Sequence, residues 1–264
     1  MIGAYRALLV AGFQNASQYR VQLFLYVFFS VLRPIIFLAA WVAVAGARGG
    51  TVGSFTVGDF AAYYIALTIV LHLALAWDAY EFEFQVRQGR LSPLLLRPLH
   101  PIHYAVVNNI VWKVFTIVAL APVLALTAIT FGAQFHGQPW HYALFIPSLL
   151  MGAAIRFLFG WIVASAAFWI TRVSSVSTFF DRIQFIFSGQ IAPLALLPGA
   201  LQTVAYAMPF AYMFGVPADI LRGAPTFEGS LLLLAGQAVW VAICYLVLQV
   251  VWGAGLKQYS GVGA

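Results

Sequence analysis

Residues 81–101 read EFEFQVRQGRLSPLLLRPLHP. Three arginines, two glutamates and three prolines fall within this one stretch, and long apolar runs flank it on both sides. About a quarter of the residues of a soluble domain are charged. In this chain of 264 residues only 8% are charged and 63% are hydrophobic, with a mean hydropathy of +0.94. That apolar excess does not fit inside one soluble core, so most of it must face lipid. The apolar runs are long and unbroken, unlike the short alternating segments of a β-barrel. Residues 81–101 are therefore a connection between membrane spans, and the chain reads as an all-α polytopic membrane protein.

Working outward from that connection, six transmembrane helices are expected, at 21–45, 60–77, 110–131, 142–170, 173–192 and 231–252. Each has roughly the 20 residues that a spanning helix needs. The fifth is the most polar, with Asp181, Arg182, Gln184 and Gln190 inside it. Basic residues set the orientation. With the N-terminus inside, the inner segments hold Arg6, Arg20, Arg87, Arg90, Arg97, Arg172 and Lys257, against Arg48 and Arg222 outside. Lysine and arginine accumulate on the cytoplasmic side. Both termini are thus expected in the cytoplasm, in a multi-pass protein of the cell's inner (plasma) membrane.

The first twenty residues show a short apolar stretch between Tyr5 and Phe13 and no clear cleavage site, so a signal peptide is not expected. They suit an amphipathic helix on the inner membrane surface; the alternative is a frayed tail. Residues 193–223 are cut by Pro193, Pro198, Pro209 and Pro217 into pieces too short to cross. Proline removes an amide donor, and bare backbone is not tolerated against lipid. A pair of short re-entrant helices on the outer side answers both constraints; one kinked spanning helix is the alternative. No repeat or soluble domain is evident, and residues 1–264 read as one membrane domain.

Several chemistries are excluded. A P-loop needs Gly-Lys-Ser/Thr, and the only lysines, Lys113 in VWKVF and Lys257 in GLKQY, do not supply it. His136 and His141 lie five apart in an outer loop with no carboxylate nearby in sequence, which favours solvated histidines over a metal pair. His72, inside the second span, reads as a buried, hydrogen-bonded side chain. No Gly-x-Ser-x-Gly or His-Glu-x-x-His is present. The lone Cys244 permits no intrachain disulfide. The sparse basic residues sit beside apolar spans, which argues for orientation rather than nucleic acid. No catalytic or metal site is assigned.

Two arginines lie deep within spans, Arg33 before Pro34 and Arg156 in AAIRFLFGW. A charge near the bilayer centre costs at least about 2.5–3.5 kcal/mol, so it usually faces protein or water. One reading is a substrate pathway that meets an anionic headgroup. The other is a structural pair with Asp78, Asp181 or a partner subunit, and the sequence leaves both open.

The charged connection itself reads as a helical elbow. Acids open it and arginines close it, matching the helix macrodipole, and Glu83 stands four residues before Arg87 in the favourable order. Gly89 provides a stop. Ser92-Pro93 fits an N-cap and first helical position of a short second turn. Orientation alone needs arginines but not Glu81, Glu83 or a capped turn. A surface that docks a partner explains the whole set Glu81, Glu83, Arg87, Arg90, Leu94 and Arg97.

With YRALLVAGFQNASQYR at the N-terminus, VRQGRLSPLLLRPLHP after the second span and GQIAPLALLPGALQTVAYAMPFAYM before the last, the chain resembles the ABC-2-type permeases. These are membrane subunits of ATP-driven exporters, and the resemblance covers nearly the whole chain. It implies an N-terminal interfacial helix over 1–20, a cytoplasmic coupling helix within 81–101 and re-entrant helices within 193–223. It also implies a second permease chain, identical or related, and two separate ATPase subunits that bind ATP and Mg, with no cofactor in this chain. The partners it implies, besides membrane lipids, are those subunits. A hydrophobic or amphipathic cargo suits a pathway rich in Phe and Trp. The rival readings are an intramembrane enzyme using His72 or the outer histidines, and a channel or scaffold independent of nucleotide.

Overall fold

The computed structural model describes residues 2–258, except residues 17, 19, 76–81, 83, 87, 89, 97–100 and 171–172. Long helices dominate: α1 Ile2–Ala16, α2 Arg20–Ala47, α3 Val57–Ala74, α4 Leu91–Leu95, α5 Pro101–Phe131 and α6 Pro139–Ala164. A 3-10 turn, Ser165–Phe168, continues α6. Then come α7 Ser174–Phe187, a 3-10 turn Leu194–Leu196, α8 Gly199–Ala207, α9 Pro209–Met213, α10 Gly215–Arg222 and α11 Phe227–Gln258. Among the described residues, five segments are long and apolar enough to cross a membrane: Phe24–Ala47, Val57–Ala74, Pro101–Phe131, Pro139–Phe168 and Phe227–Gln258.

The core is built around α3. Its sequence, VGDFAAYYIALTIVLHLA, is apolar on every side, as suits a helix surrounded by protein. It packs against α2, α5, α6 and α10. Thr56 starts it through a capping box: the Thr56 hydroxyl accepts from the Asp59 amide, and Asp59 Oδ2 accepts from the Thr56 amide at 2.9 Å. That cap explains why the helix begins at Val57, three residues before the expected start. Phe60 lies between Trp41 and Phe55, with centroids 5.3 and 5.2 Å away. A two-stranded hairpin, Thr51–Val52 with Phe55–Thr56, closes the turn before α3, a small β element that the all-α expectation lacked.

The expected fifth span is shorter than foreseen. α7 has 14 residues, about 21 Å at 1.5 Å per residue, less than the roughly 30 Å of hydrocarbon. It stops at Ser188–Gly189, where Gly189 takes a φ of 87°. The Tyr63 hydroxyl occupies the place where a Cβ on Gly189 would sit, so no larger residue fits. The backbone then leaves the helix and gives its carbonyls to α2 and α3. Tyr63 donates to Gly189 O at 2.7 Å, Tyr64 to Ile191 O at 2.7 Å and Trp41 Nε1 to Ile191 O at 2.8 Å.

The prolines of the next segment delimit helices as the sequence suggests. Pro198 and Pro209 stand at the starts of α8 and α9, where a missing amide costs little. α9 and α10 then pack on α6, α3 and α11. Gln237, buried in the upper half of α11, donates to Ser148 O at 3.0 Å and Tyr212 O at 2.9 Å, tying α6, α9 and α11 together.

α1 is a helix, not a frayed tail, and it lies lengthwise along α5. Tyr5 hydrogen-bonds His103, Gly12 faces Val111 and the Phe13 ring lies 5.7 Å from Phe115. With 31 residues, α5 is about 46 Å long and overruns a bilayer core by about 16 Å. About ten of its residues therefore have room outside the hydrocarbon, and α1 pairs with its first half.

Candidate docking elbow

Between α3 and α5 the described residues form an elbow segment with two unlike faces. Phe82, Val86 and Leu91 point inward, and all three are buried. They pack on Trp161, Ala164 and Leu248, with Phe168 and Trp252 at the edge of the cluster. The Phe82 ring is 5.0 Å from Trp161, 5.4 Å from Trp252 and 5.7 Å from Phe168, in tilted and edge-on geometries that aromatic pairs favour. The described part of the elbow is thus packed on the C-terminal ends of α6 and α11, two helices that lie against each other.

The other face points outward. Phe84 and Leu95 are exposed, Leu96 is 88% exposed, and Arg90 is exposed with its guanidinium 5.2 Å over the Phe84 ring. The exposed aromatic with an arginine over it is a pairing enriched at interfaces, and Leu95 and Leu96 add exposed apolar surface on the turn that follows. The short turn α4 begins at Leu91 with Arg90 before it and no side-chain cap. Ser92 and Pro93 therefore lie inside the turn, not at the cap and first position that the sequence suggested. The anchoring demand of buried Leu91 sets the start two residues earlier.

Of the expected docking residues, Arg90 is exposed on this face and Leu94 is half-buried on α4. Glu81, Glu83, Arg87 and Arg97 lie outside the described residues, and so does the expected Glu83–Arg87 pair. The residues that sequence reasoning missed are the anchors Phe82 and Leu91 and the exposed Phe84 and Leu96. The alternation of EFEFQV held a signal, since Phe82 and Val86 share one helical face while Phe84 does not.

The two deep arginines meet the same helix. Arg156 of α6 is buried, and its Nη2 lies 3.6 Å from Asp181 Oδ1, within ion-pair range. Arg33 of α2 is exposed, and its guanidinium sits 5.0 Å over the Phe185 ring. Asp181 and Phe185 are four apart on α7 and therefore neighbours on one face. Asp181 was among the acids expected to pair with Arg156, and this geometry favours the structural reading for Arg156 but not for Arg33.

The histidines are structural in their contacts. His72 has Nδ1 2.7 Å from Thr68 O and Nε2 2.7 Å from Ser30 Oγ. His141 is not the solvated loop residue that was expected. It is buried, stacked on Trp140 at 3.5 Å. Its Nδ1 accepts from the Gln138 amide at 2.9 Å, so Nε2–H donates to Pro225 O at 2.9 Å. His136 reaches Asp59 Oδ1 at 2.9 Å, while its amide donates to Arg222 O at 2.9 Å. The loop is pinned because Gly223, with φ 84°, lies so close to His136 and Gly137 that only glycine fits. Arg222 in turn bonds Asp219 Oδ1 at 2.8 Å and lies 4.5 Å over Phe55. Burial raises the Asp219 carboxyl above its usual range, against the pull of Arg222. Among the described residues no group of three or more His, Cys, Asp or Glu side chains could hold a metal ion.

Residues 23–263 match the model of a family described as ABC-2 family transporter protein. No curated protein matches the chain.

Proposed function

This chain belongs to the ABC-2 transporter family, and we propose that it is the permease half of an ABC exporter, driven by ATP that separate subunits hydrolyse. The observation that carries this reading is the elbow: an apolar face fixed to α6 and α11 and an exposed face of Phe84, Arg90, Leu95 and Leu96. Two soluble ATPase subunits, which hold ATP and Mg, would grip the outward face. Their closure would swing the elbow, and the aromatic cluster would pass that motion to the bundle, a rigid-body switch biased by a ligand. A second permease chain, identical or related, completes the pathway. Glu81, Glu83, Arg87 and Arg97 would extend the docking surface, and Arg33 would line the route of a hydrophobic or amphipathic cargo.

The same reading places the elbow and both termini in the cytoplasm, with the protein in the cell's inner membrane, in keeping with the bias of basic residues. α7, too short as a helix to cross the hydrocarbon alone, would be extended into a fifth crossing by the non-helical backbone through Gly189 and Ile191, which Tyr63, Tyr64 and Trp41 satisfy, with α11 as the sixth span and α8 to α10 as an outer re-entrant segment. The support for re-entrance is its packing. The segment starts at Gly189 beside Tyr63, passes Tyr212 against Gln237, and returns to Arg222 beside His136. α1 would rest at the inner boundary beside the overhanging start of α5.

Leu96→Glu tests the docking claim. Burying a leucine contributes about 1.5–3 kcal/mol, so its loss together with an unpaired acid should weaken ATPase association at least tenfold. Leu96 is almost fully exposed, so the variant should insert and melt like the parent. Undiminished association in a pull-down with the cognate ATPase would remove the elbow from the interface.

A further inference from the structure

We infer that the face shared by α2 and α7 is a binding site for the anionic headgroup, phosphate or carboxylate, of a membrane amphiphile, held by Arg33 and Arg182. The role of that ligand as cargo rests on the permease reading; the binding itself does not. Arg182 is exposed on α7 one turn before Phe185, the ring on which Arg33 lies. Residues three apart on a helix are surface neighbours, so Arg182 stands on the side of α7 that carries the ring Arg33 covers.

The charges on this face do not balance internally. The chain has seven acids. Asp78, Glu81 and Glu83 lie outside the described residues. Asp59 is held by His136, Asp219 by Arg222 and Asp181 by Arg156, and Glu228 opens α11. Among the described residues neither Arg33 nor Arg182 makes an ion pair. Among the described residues, Arg33, Arg156 and Arg182 lie on or against α7 and only Arg156 is paired, to Asp181, which leaves two positive charges on this face.

Depth argues for a ligand. Arg33 stands nine residues from Phe24, the start of its span, which is about 14 Å along the axis. That is too deep for a side chain to lift its charge to the interface as it does near helix ends. An intramembrane arginine needs an anion or water beside it, and a guanidinium fork matches the oxygens of phosphate and carboxylate. The surroundings choose an amphiphile over a free anion. Phe29, Ile36, Phe179 and Ile186 are all exposed around the two arginines; an alkyl tail would cover them, and an inorganic ion would use none of them.

The test is equilibrium binding of dodecyl phosphate to the full chain in a neutral detergent, read by retained ligand, with inorganic phosphate as competitor. Losing two charge-assisted contacts should weaken binding by roughly tenfold or more in Arg33→Gln/Arg182→Gln. Arg33→Lys/Arg182→Lys should keep most of it, and Arg48→Gln, in the turn after α2, should bind like the parent. The glutamine variant should melt no lower than the parent without ligand, because it removes unpaired cations from an apolar face. Equal binding by the glutamine pair overturns the site. Displacement by inorganic phosphate at matched concentration overturns the amphiphile in favour of a free anion. Loss of self-association in the glutamine pair, with no binding by the parent, shows instead that the arginines face a second copy. The assay needs no nucleotide and no ATPase, so failure here leaves the permease reading standing, and failure of that reading leaves this result intact.

Discussion

Replacing Phe82 with alanine should detach the elbow from the bundle while leaving its docking face unchanged. Phe82 is 1% exposed and touches Trp161, Phe168 and Trp252 at once. Truncating a buried phenylalanine costs about 3–5 kcal/mol in the well-packed cores where it has been measured. The elbow is a local unit, so most of that loss falls on its own closed state rather than on the whole bundle. A loss of about 3 kcal/mol raises the population of the undocked elbow by roughly a hundredfold. Amide hydrogen exchange over residues 91–96 reads this directly, because Leu91 is fully buried in the parent. ATPase association should fall only slightly, since Phe84, Arg90 and Leu96 remain, whereas hydrolysis coupled to the permease should be lost. The pair of results separates gripping from transmission. If exchange at 91–96 is unchanged in Phe82→Ala, the aromatic cluster is not the anchor and the transmission route through α6 and α11 is wrong.

Two further outcomes follow from the packing and the charge pattern. In Gly236→Ala the new Cβ would stand 2.7 Å from the Tyr212 ring, so the ring or α9 must give way; the cost should be about 1–3 kcal/mol and lower the melting temperature. Gly253→Ala has open space around it and should be neutral or stabilising by up to about 1 kcal/mol; equal behaviour of the two would contradict the close approach. In a Cys244→Ala background, a cysteine at Gln134 should react with an impermeant thiol reagent from outside and one at Gln88 should not; the reverse pattern would invert the orientation.

The sequence disclosed the long elements because their signals are local. Apolar runs of 20 residues or more need no partner to be recognised, and the gathered charge of 81–101 marked a loop between them. The elbow's inward face was half legible, since the spacing of Phe82 and Val86 is a helical spacing even though the string alternates. Its partners were not. Trp161, Phe168 and Trp252 lie far along the chain, and nothing local to them names Phe82. The shortness of α7 was hidden for the same reason. Gly189 ends the helix because the Tyr63 hydroxyl occupies the space beside it, a contact across 126 positions. His141 shows the opposite error. A loop between two spans suggested solvent, but Gly223 draws the loop close to α10 and buries His141 under Pro225. Arg182 was visible as a polar residue in a weak span, yet only the neighbouring Arg33–Phe185 contact gives it a role.

Whether this chain is the passive, gripped half of an ATP-driven machine is best decided by measuring ATP hydrolysis in lipid with three samples: the chain alone, the cognate ATPase alone, and both together. The chain alone should neither bind nor hydrolyse ATP. The mixture should turn over ATP at a rate different from the ATPase alone, and Leu96→Glu should abolish that difference. ATP hydrolysis by the purified chain, or a mixture indistinguishable from the ATPase by itself, would contradict it.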